Sequence, residues 1–200
     1  MADIRVFMSV SLDGVMQAPA RPDEDTRGGF SRGGWAARYA DPVMWEGMGR
    51  AGSLLLGRRT YEDFYAVWPK RTDNPFTPVL NASQKYVVST TLTEPLPWEN
   101  STLLRGDAVA TVADLKEKLD QDLMILGSGE LVRSLMGSDL IDAYMLLIHP
   151  LVLGTGQRLF AGGGPPADLE LAGSTTTGTG VVIATYRTAG PELKPEFPAG

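Results

Sequence analysis

The chain has 200 residues, of which 43% are hydrophobic, and a formal net charge of −6. Its length and composition predict one globular domain, residues 1–187, followed by a proline-rich tail, residues 188–200. The composition excludes disulfides and zinc–thiolate sites because there is no cysteine, and the negative charge disfavours nucleic acid as a partner. With no apolar run long enough to span a membrane and no signal-peptide pattern, we expect no membrane partner and a cytoplasmic location.

The first part of the chain predicts a strand, a long loop and a helix. Residues 4–10 alternate as in a strand, and a turn follows at residues 11–14. Residues 17–34 are polar and rich in glycine and proline, and a loop of this length is often a lid over a functional site. Asp41 before a proline is a typical helix N-cap, so we expect a helix to about residue 51.

Apolar strands then alternate with helices along the chain. Helix starts are expected at Thr60, with Asp63 at the spacing of a capping box, at Thr111, and after Gly129. This alternation predicts an α/β fold with a mostly parallel sheet and helices on both faces, made mixed by an antiparallel pair at the C-terminus. The expected strands cover residues 54–56, 85–89, 102–104, 123–126, 143–148, 168–172 and 181–186.

Three of these strands end in residues suited to binding phosphate. The strand ends carry Gly57-Arg58-Arg59-Thr60, Ser89-Thr90 and Gly127-Ser128-Gly129-Glu130. Ligands of parallel α/β sheets bind beyond the carboxyl ends of the strands, and arginine forks and helix N-termini favour phosphate. Each segment alone is also explained by a solvated helix start, an ordinary turn or a tight strand–helix connection. Together they favour a dinucleotide.

These segments resemble the dihydrofolate reductase superfamily, above all the reductase domain of bacterial riboflavin biosynthesis and its stand-alone relatives. The opening segment 9–14 and the segment 150–156 are also similar to that branch. The resemblance implies a dihydrofolate reductase-like three-layer fold with an eight-stranded sheet, and NADPH as cofactor. It implies that Arg58, Arg59 and Thr60 bind the adenosine-side phosphates, with Gly57 at their turn, and that Ser89 and Thr90 lie near the 2′-phosphate. It further implies that the pyrophosphate is bound by Gly127, Ser128, Gly129, Glu130 and Leu131, and that the nicotinamide is bordered by Leu12, Asp13 and Gly14.

The substrate side gives less direct signals. By resemblance to the folate enzymes, Asp41 matches the carboxylate that supports protonation, and Glu46 lies one turn further, but Asp41 is explained equally well as a helix cap. Leu146 stands where those enzymes carry a threonine, which argues against folate itself. Aromatic residues could stack on a planar heterocycle such as a pterin or aminopyrimidine, although core packing is the alternative, favoured only for Trp45. These are Phe30, Trp35, Tyr39 and Trp45.

The sequence therefore supports three hypotheses. The leading one is an NADPH-dependent reductase of a small planar heterocycle. The others are a nucleotide-binding protein of the same fold without significant turnover, and a phosphate-handling enzyme without a nicotinamide, against which the absence of a P-loop motif counts. No metal site is expected. Because relatives in the riboflavin branch commonly pair, a homodimer is expected through residues 143–148 and 151–153.

Overall fold

Eight strands form a single sheet in the computed structural model, which describes residues 2–45, 52–74, 76–160, 164 and 166–189. Their order across the sheet is β4-β3-β2-β5-β1-β6-β8-β7. The first six strands are parallel, and β8 runs antiparallel to both β6 and β7. This confirms the predicted mixed, mostly parallel sheet. The strands are β1 (Ile4–Ser11), β2 (Ser53–Gly57), β3 (Gln84–Val88), β4 (Ser101–Leu104), β5 (Leu123–Leu126), β6 (Ala143–His149), β7 (Leu169–Thr176) and β8 (Val182–Thr188).

Helices cover both faces of this sheet because the central strands are apolar on both sides. The helices are α1 (Arg58–Val67), α2 (Phe76–Ala82), α3 (Ala108–Lys118) and α4 (Gly129–Leu135). On one face, α3 and α4 pack on Val6, Met8 and their neighbours in β5 and β6. On the other face, α1 and α2 pack on Phe7 and Leu56. Short 3-10 helices occupy Arg27–Gly29, Ala37–Tyr39, Pro42–Trp45 and Trp68–Lys70.

Several predicted helix starts are wrong. Helix α1 begins at Arg58 rather than Thr60, and its N-cap Gly57 makes no side-chain cap. Helix α3 begins after Asp107, whose Oδ1 accepts a hydrogen bond from the Ala110 N–H at 2.9 Å, so Thr111 is not the N-cap. In both cases the predicted N-cap is a threonine that lies inside the helix, and the true N-cap is the residue directly before the helix.

The segment after residue 40 also differs from the prediction. A 3-10 helix, Pro42–Trp45, stands where the helix to residue 51 was expected, and residues 46–51 lie outside the described part of the chain. Asp41 does cap this short helix, because its Oδ1 accepts from the Val43 N–H at 3.0 Å. Helix α2 (Phe76–Ala82) was not among the predicted elements.

The two segments expected to form a homodimer interface differ in exposure. Strand β6 lies between β1 and β8, so its edges are already paired. In the following loop, Leu153 is buried, whereas Val152 is 67% exposed. The exposed edge of this half of the sheet is instead β7, whose residues after Leu169 are all exposed. Strand β8 ends at Thr188, one residue beyond the predicted end of the domain, and the Thr188 N–H donates to Asp142 O.

None of the helices in the described residues is long and apolar enough to cross a membrane.

Candidate active site

A cavity of about 720 Å³ opens at the carboxyl ends of β1 and β5. Its floor includes Phe7 and Ser9 of β1 and Leu126 of β5, and its two walls are one face of α1 and the loop at residues 16–27. This volume lies within the range of small-molecule and cofactor sites. Because α1 rises about 1.5 Å per residue, the cavity extends roughly 10 Å along the helix from Thr60 to Val67.

One end of the cavity is bounded by two of the predicted phosphate-binding turns; we call it the turn end. Its residues are Arg59, Thr60 and residues 127–130. The two turns are bonded to each other: the Gly57 N–H donates to Ser128 Oγ at 3.0 Å, and the Ser128 N–H donates to Thr60 Oγ1 at 3.1 Å. The Thr60 and Ser128 hydroxyls therefore fix the relative position of β2 and β5 as well as facing the cavity.

Gly129 allows a close approach at the turn end. A Cβ added to it would meet Sδ and Cε of Met16, the flexible end of a side chain of the long loop. The turn thereby contacts the loop directly, and Met16 fills the space that the missing side chain of Gly129 leaves.

Arg27, Glu130 and Arg59 form an ion-pair network at the turn end, which we call the Glu130 clasp. Glu130 accepts from Arg27 Nη1 at 2.7 Å and from Arg59 Nη1 at 2.6 and 2.5 Å. Partial burial raises the Glu130 carboxyl pKa, but the hydrogen bonds and charges of the two arginines outweigh it and hold that pKa below its usual range. The carboxylate is thus ionised at neutral pH. The network joins the loop, α1 and α4.

The other predicted cofactor residues lie outside the lining of this cavity. Arg58 forms an i,i+4 ion pair with Glu62 at 2.8 Å. Ser89 is buried, and its Oγ accepts from the N–H groups of Thr91 and Leu92, so the hydroxyl is used in an ordinary turn. Thr90 is exposed beside it. Leu131 is buried in the core on the opposite face.

The turn at residues 11–14 also lies away from the cavity lining, and Leu12 is 64% exposed. Asp13 instead joins this turn to the loop after β6. It accepts from Ser11 Oγ at 2.6 Å and from the Leu153 and Gly154 N–H groups at 3.0 and 2.9 Å, and these bonds hold its carboxyl pKa well below the usual 3.8. Gly14 completes the turn, so the structure gives this segment a structural role and no contact with the cavity.

The opposite end of the cavity is mostly hydrophobic; we call it the apolar end. Alanines from residues 36–40 form a neighbouring wall, and Arg71 and Asn74 lie at the rim. The shape and small wall residues suit a flat apolar group. The residues of the apolar end are Met44, Phe64, Val67, Trp68 and Leu80.

The aromatic residues expected to stack on a substrate do not line the cavity. Phe30 and Trp35 are 5% and 7% exposed and pack with Val15, Ala18 and Leu153 in a small core beneath the loop. The Trp35 indole N–H donates to Gln17 O at 2.7 Å. Core packing, the alternative interpretation, is therefore the correct one for both residues, and the loop is an ordered wall.

Of the four remaining predicted site residues, three lie outside the cavity lining and one lies outside the described residues. Tyr39 packs edge-on against the buried His149 ring, with centroids 5.6 Å apart. Leu146 belongs to the core on the face opposite the cavity, so the expected substrate contact is wrong. The Asp41 carboxylate accepts from the Val43 and Gly178 N–H groups and does not line the cavity. Glu46 lies outside the described residues.

Sequence reasoning missed charged residues that the loop brings to the cavity. Arg21 forms an ion pair with Asp63 of α1 across the cavity. Glu24 lies beside them, accepts from the Ala20 N–H at 2.7 Å, and has its carboxyl pKa raised above the usual range mainly by burial. The sequence held a signal for these residues, since the predicted lid contains several arginines and carboxylates. Their partners, however, are distant in sequence. In the described residues, no cluster of His, Asp or Glu could hold a metal ion.

Comparison with known proteins agrees with this geometry. The model of the RibD C-terminal domain family matches residues 2–183. The chain belongs to the RibD C-terminal domain family. The match covers all six parallel strands and the cavity, so the members of this family are the relevant relatives for the site.

Individual relatives support the assignment. A "putative riboflavin biosynthesis protein" of Shewanella sp. PV-4 superposes with a TM-score of 0.71 at 26% identity, covering 94% of this chain and 99% of that one. The uncharacterized protein YwjB of Bacillus subtilis (strain 168) is 31% identical over 136 residues, 68% of this chain and 73% of that protein. Dihydrofolate reductase from Enterococcus faecalis, complexed with NADP(H), shares the fold with a TM-score of 0.57 at 12% identity, covering 93% of this chain and 96% of that one.

Proposed function

We propose that this protein is an NADPH-dependent reductase that transfers hydride to a small planar heterocycle of the pterin or aminopyrimidine type. The observation that carries the proposal is one cavity, at the carboxyl ends of parallel strands, that has two arginines at its turn end and hydrophobic side chains at its apolar end. Membership of the RibD C-terminal domain family and the fold shared with dihydrofolate reductase support a reductase.

The turn end has the donors that a dinucleotide requires. Arg59 and Arg27 supply guanidinium N–H groups, and Thr60 and Ser128 belong to the same lining. These four residues would hold the pyrophosphate. When bound, the cofactor supplies hydride from its dihydronicotinamide ring. The chain itself contributes orientation and exclusion of water, which is most of what hydride transfer needs from a protein.

The apolar end would bind the substrate ring. Phe64 and Trp68 offer apolar faces, and the alanines of residues 36–40 leave space for a flat group. Polar recognition would come from Glu24 and Asp63, which both line the cavity, and Asp63 would keep its ion pair with Arg21. Carboxylates accept hydrogen bonds from ring N–H and amino groups, which suits an amino-substituted heterocycle.

The first experiment is a titration of the purified protein with NADPH, followed by fluorescence and by thermal stability. We expect saturable binding that is lost in the double variant Arg58→Ala, Arg59→Ala. Lys118→Ala is the matched control, since it removes a cation from an exposed pair with Asp114. Reduction of pterins and aminopyrimidines is then screened through the absorbance of NADPH. Undetectable cofactor binding by the wild type would overturn the proposal.

A second candidate is a nucleotide-binding protein of the same fold without significant turnover. The specific observation in its favour is the position of Asp41, whose carboxylate is occupied by two backbone N–H groups. Saturable NADPH binding with no consumption of NADPH across the heterocycle screen would favour this candidate over the reductase.

We further infer a cytoplasmic homodimer. Strand β7 supports pairing better than the segments first expected, because among the described residues no strand pairs with its outer edge. Sedimentation analysis of the wild type, and of a variant with proline in place of Ser174 in β7, tests the association: we expect a dimer that the proline converts to a monomer.

A further inference from the structure

Glu130 uses the same arginine groups that a ligand phosphate would need. Arg27 has its Nε and Nη2 on Asp25, at 2.8 and 2.6 Å, and only its Nη1 reaches Glu130. Arg59 also meets Glu130 through Nη1. Loss of Glu130 would therefore free one N–H arm of each arginine, while Asp25 keeps Arg27 in place at the cavity.

The clasp is open enough to exchange partners. The side chains of Arg27, Arg59 and Glu130 are 38%, 49% and 54% exposed. Ion pairs with this degree of exposure contribute little each, because water screens them. The pyrophosphate of a dinucleotide carries two negative charges where a carboxylate carries one, and it offers more acceptor oxygens to the guanidinium groups. It can displace Glu130 without unpacking any buried group.

We propose that Glu130 is a specificity-determining residue: its carboxylate holds Arg27 and Arg59 until a pyrophosphate-bearing ligand takes its place. Ligands without phosphate leave the clasp closed and gain nothing from the two arginines. A ligand must displace the Glu130 carboxylate before it can bind the two arginines, so only a ligand with a more highly charged group gains from them. This inference rests on the proposed function, since it assumes that a nicotinamide dinucleotide is the ligand.

The test is Glu130→Gln, measured by the dissociation constants of NADPH, NADH and reduced nicotinamide riboside. Removing two exposed ion pairs that compete with the ligand should tighten NADPH binding about three- to tenfold. NADH should gain by the same factor, because both dinucleotides carry the pyrophosphate. The riboside, which has no phosphate, should bind the variant and the wild type equally.

Glu62→Gln is the matched control. Glu62 also lines the cavity and pairs with an arginine, but its partner is Arg58. A general change in the electrostatic potential of the cavity would tighten NADPH binding in both variants alike. If the ligand displaces Glu130 from the two arginines, binding tightens only in Glu130→Gln. Glu130→Ala serves as a second variant with the same expected direction, and the thermal midpoints of all variants are compared.

The outcomes separate the two proposals. If the wild type binds no NADPH, the proposed function is wrong. If the wild type binds NADPH while Glu130→Gln and Glu130→Ala bind it equally or more weakly, the role of Glu130 is wrong and the reductase proposal stands. Equal tightening in Glu62→Gln would likewise overturn the role of Glu130.

Discussion

The two ends of the cavity differ in charge and in exposure. At the turn end, charged side chains from three elements compensate one another through the Glu130 clasp, and they remain partly exposed. At the apolar end, Met44 and Leu80 are 4% and 3% exposed and belong to the core of the sheet. The exposed charges of the turn end therefore contribute little to folding, whereas the apolar end is part of the core that keeps the protein folded.

This difference predicts that binding and stability can be separated by mutation. Changes at the turn end should alter ligand affinity and leave stability nearly unchanged. Changes at the apolar end should alter both. A change in the loop that covers both ends should alter stability and binding together, because the small core and the ion pairs of the loop fix it to the sheet.

The largest effect on stability is expected from Leu80→Ala at the apolar end. Truncating a buried leucine removes apolar contacts and leaves a cavity, which costs about 2–5 kcal/mol. Urea unfolding measures the loss. The matched variant Val79→Ala changes an exposed neighbour in the same helix, 48% exposed, and should cost much less. Equal losses in the two variants would contradict the assignment of Leu80 to the core.

The largest effect on binding is expected from Arg59→Ala at the turn end. Loss of a charge-assisted hydrogen bond, worth about 1.5–3 kcal/mol, should weaken NADPH binding about 10- to 100-fold. Arg58→Ala, which removes the adjacent arginine that pairs with Glu62, should weaken it less than about threefold. Unfolding in urea should change little in either variant. A reversed order of the two effects would show that the cofactor lies on the other side of α1.

Gly33→Ala should disturb both ends through the loop. An added Cβ would lie 2.6 and 2.7 Å from the backbone oxygens of Pro22 and Arg21, and backbone cannot move aside as a flexible side chain can. Overpacking of this kind costs about 1–3 kcal/mol and would displace Arg21 from Asp63. We expect lower stability together with weaker binding of cofactor and substrate.

The control for this variant is Gly173→Ala in β7, where an added Cβ meets no atom within 4 Å. Wild-type stability in Gly33→Ala would show that the loop is not held against the sheet in the way described.

The smallest effect is expected from Asp41→Asn beside the apolar end. The amide oxygen can still accept from one of the backbone N–H groups, so the loss of stability should stay below about 1 kcal/mol. Turnover should change less than about threefold if Asp41 acts only as a cap. A large fall in kcat with unchanged stability, measured once a substrate is known, would show that the Asp41 carboxylate takes part in the reaction.

The sheet was predictable because its signals are local. Apolar runs such as residues 54–56 and 123–126 are short, continuous and followed by glycine, which is sufficient to mark buried parallel strands. The turn end was partly predictable for the same reason, since Arg59, Thr60 and residues 127–130 directly follow those strands. The predictions failed where one residue type fits two local roles, as at Thr60 and Thr111.

The sequence by itself determined the eight strands in chain order, the turns at the ends of the central strands and the family that these features resemble. Only the tertiary structure decided which neighbouring side chains share a space. In it, Arg58 pairs with Glu62 and does not share the cavity with Arg59. Phe30 and Trp35 pack in a small core, and Leu146 lies on the face of the sheet opposite the cavity. The tertiary structure also brings Arg27 to Glu130, 103 positions away in the chain. Local patterns specify backbone conformation, whereas contacts between distant residues depend on how the loop packs on the sheet.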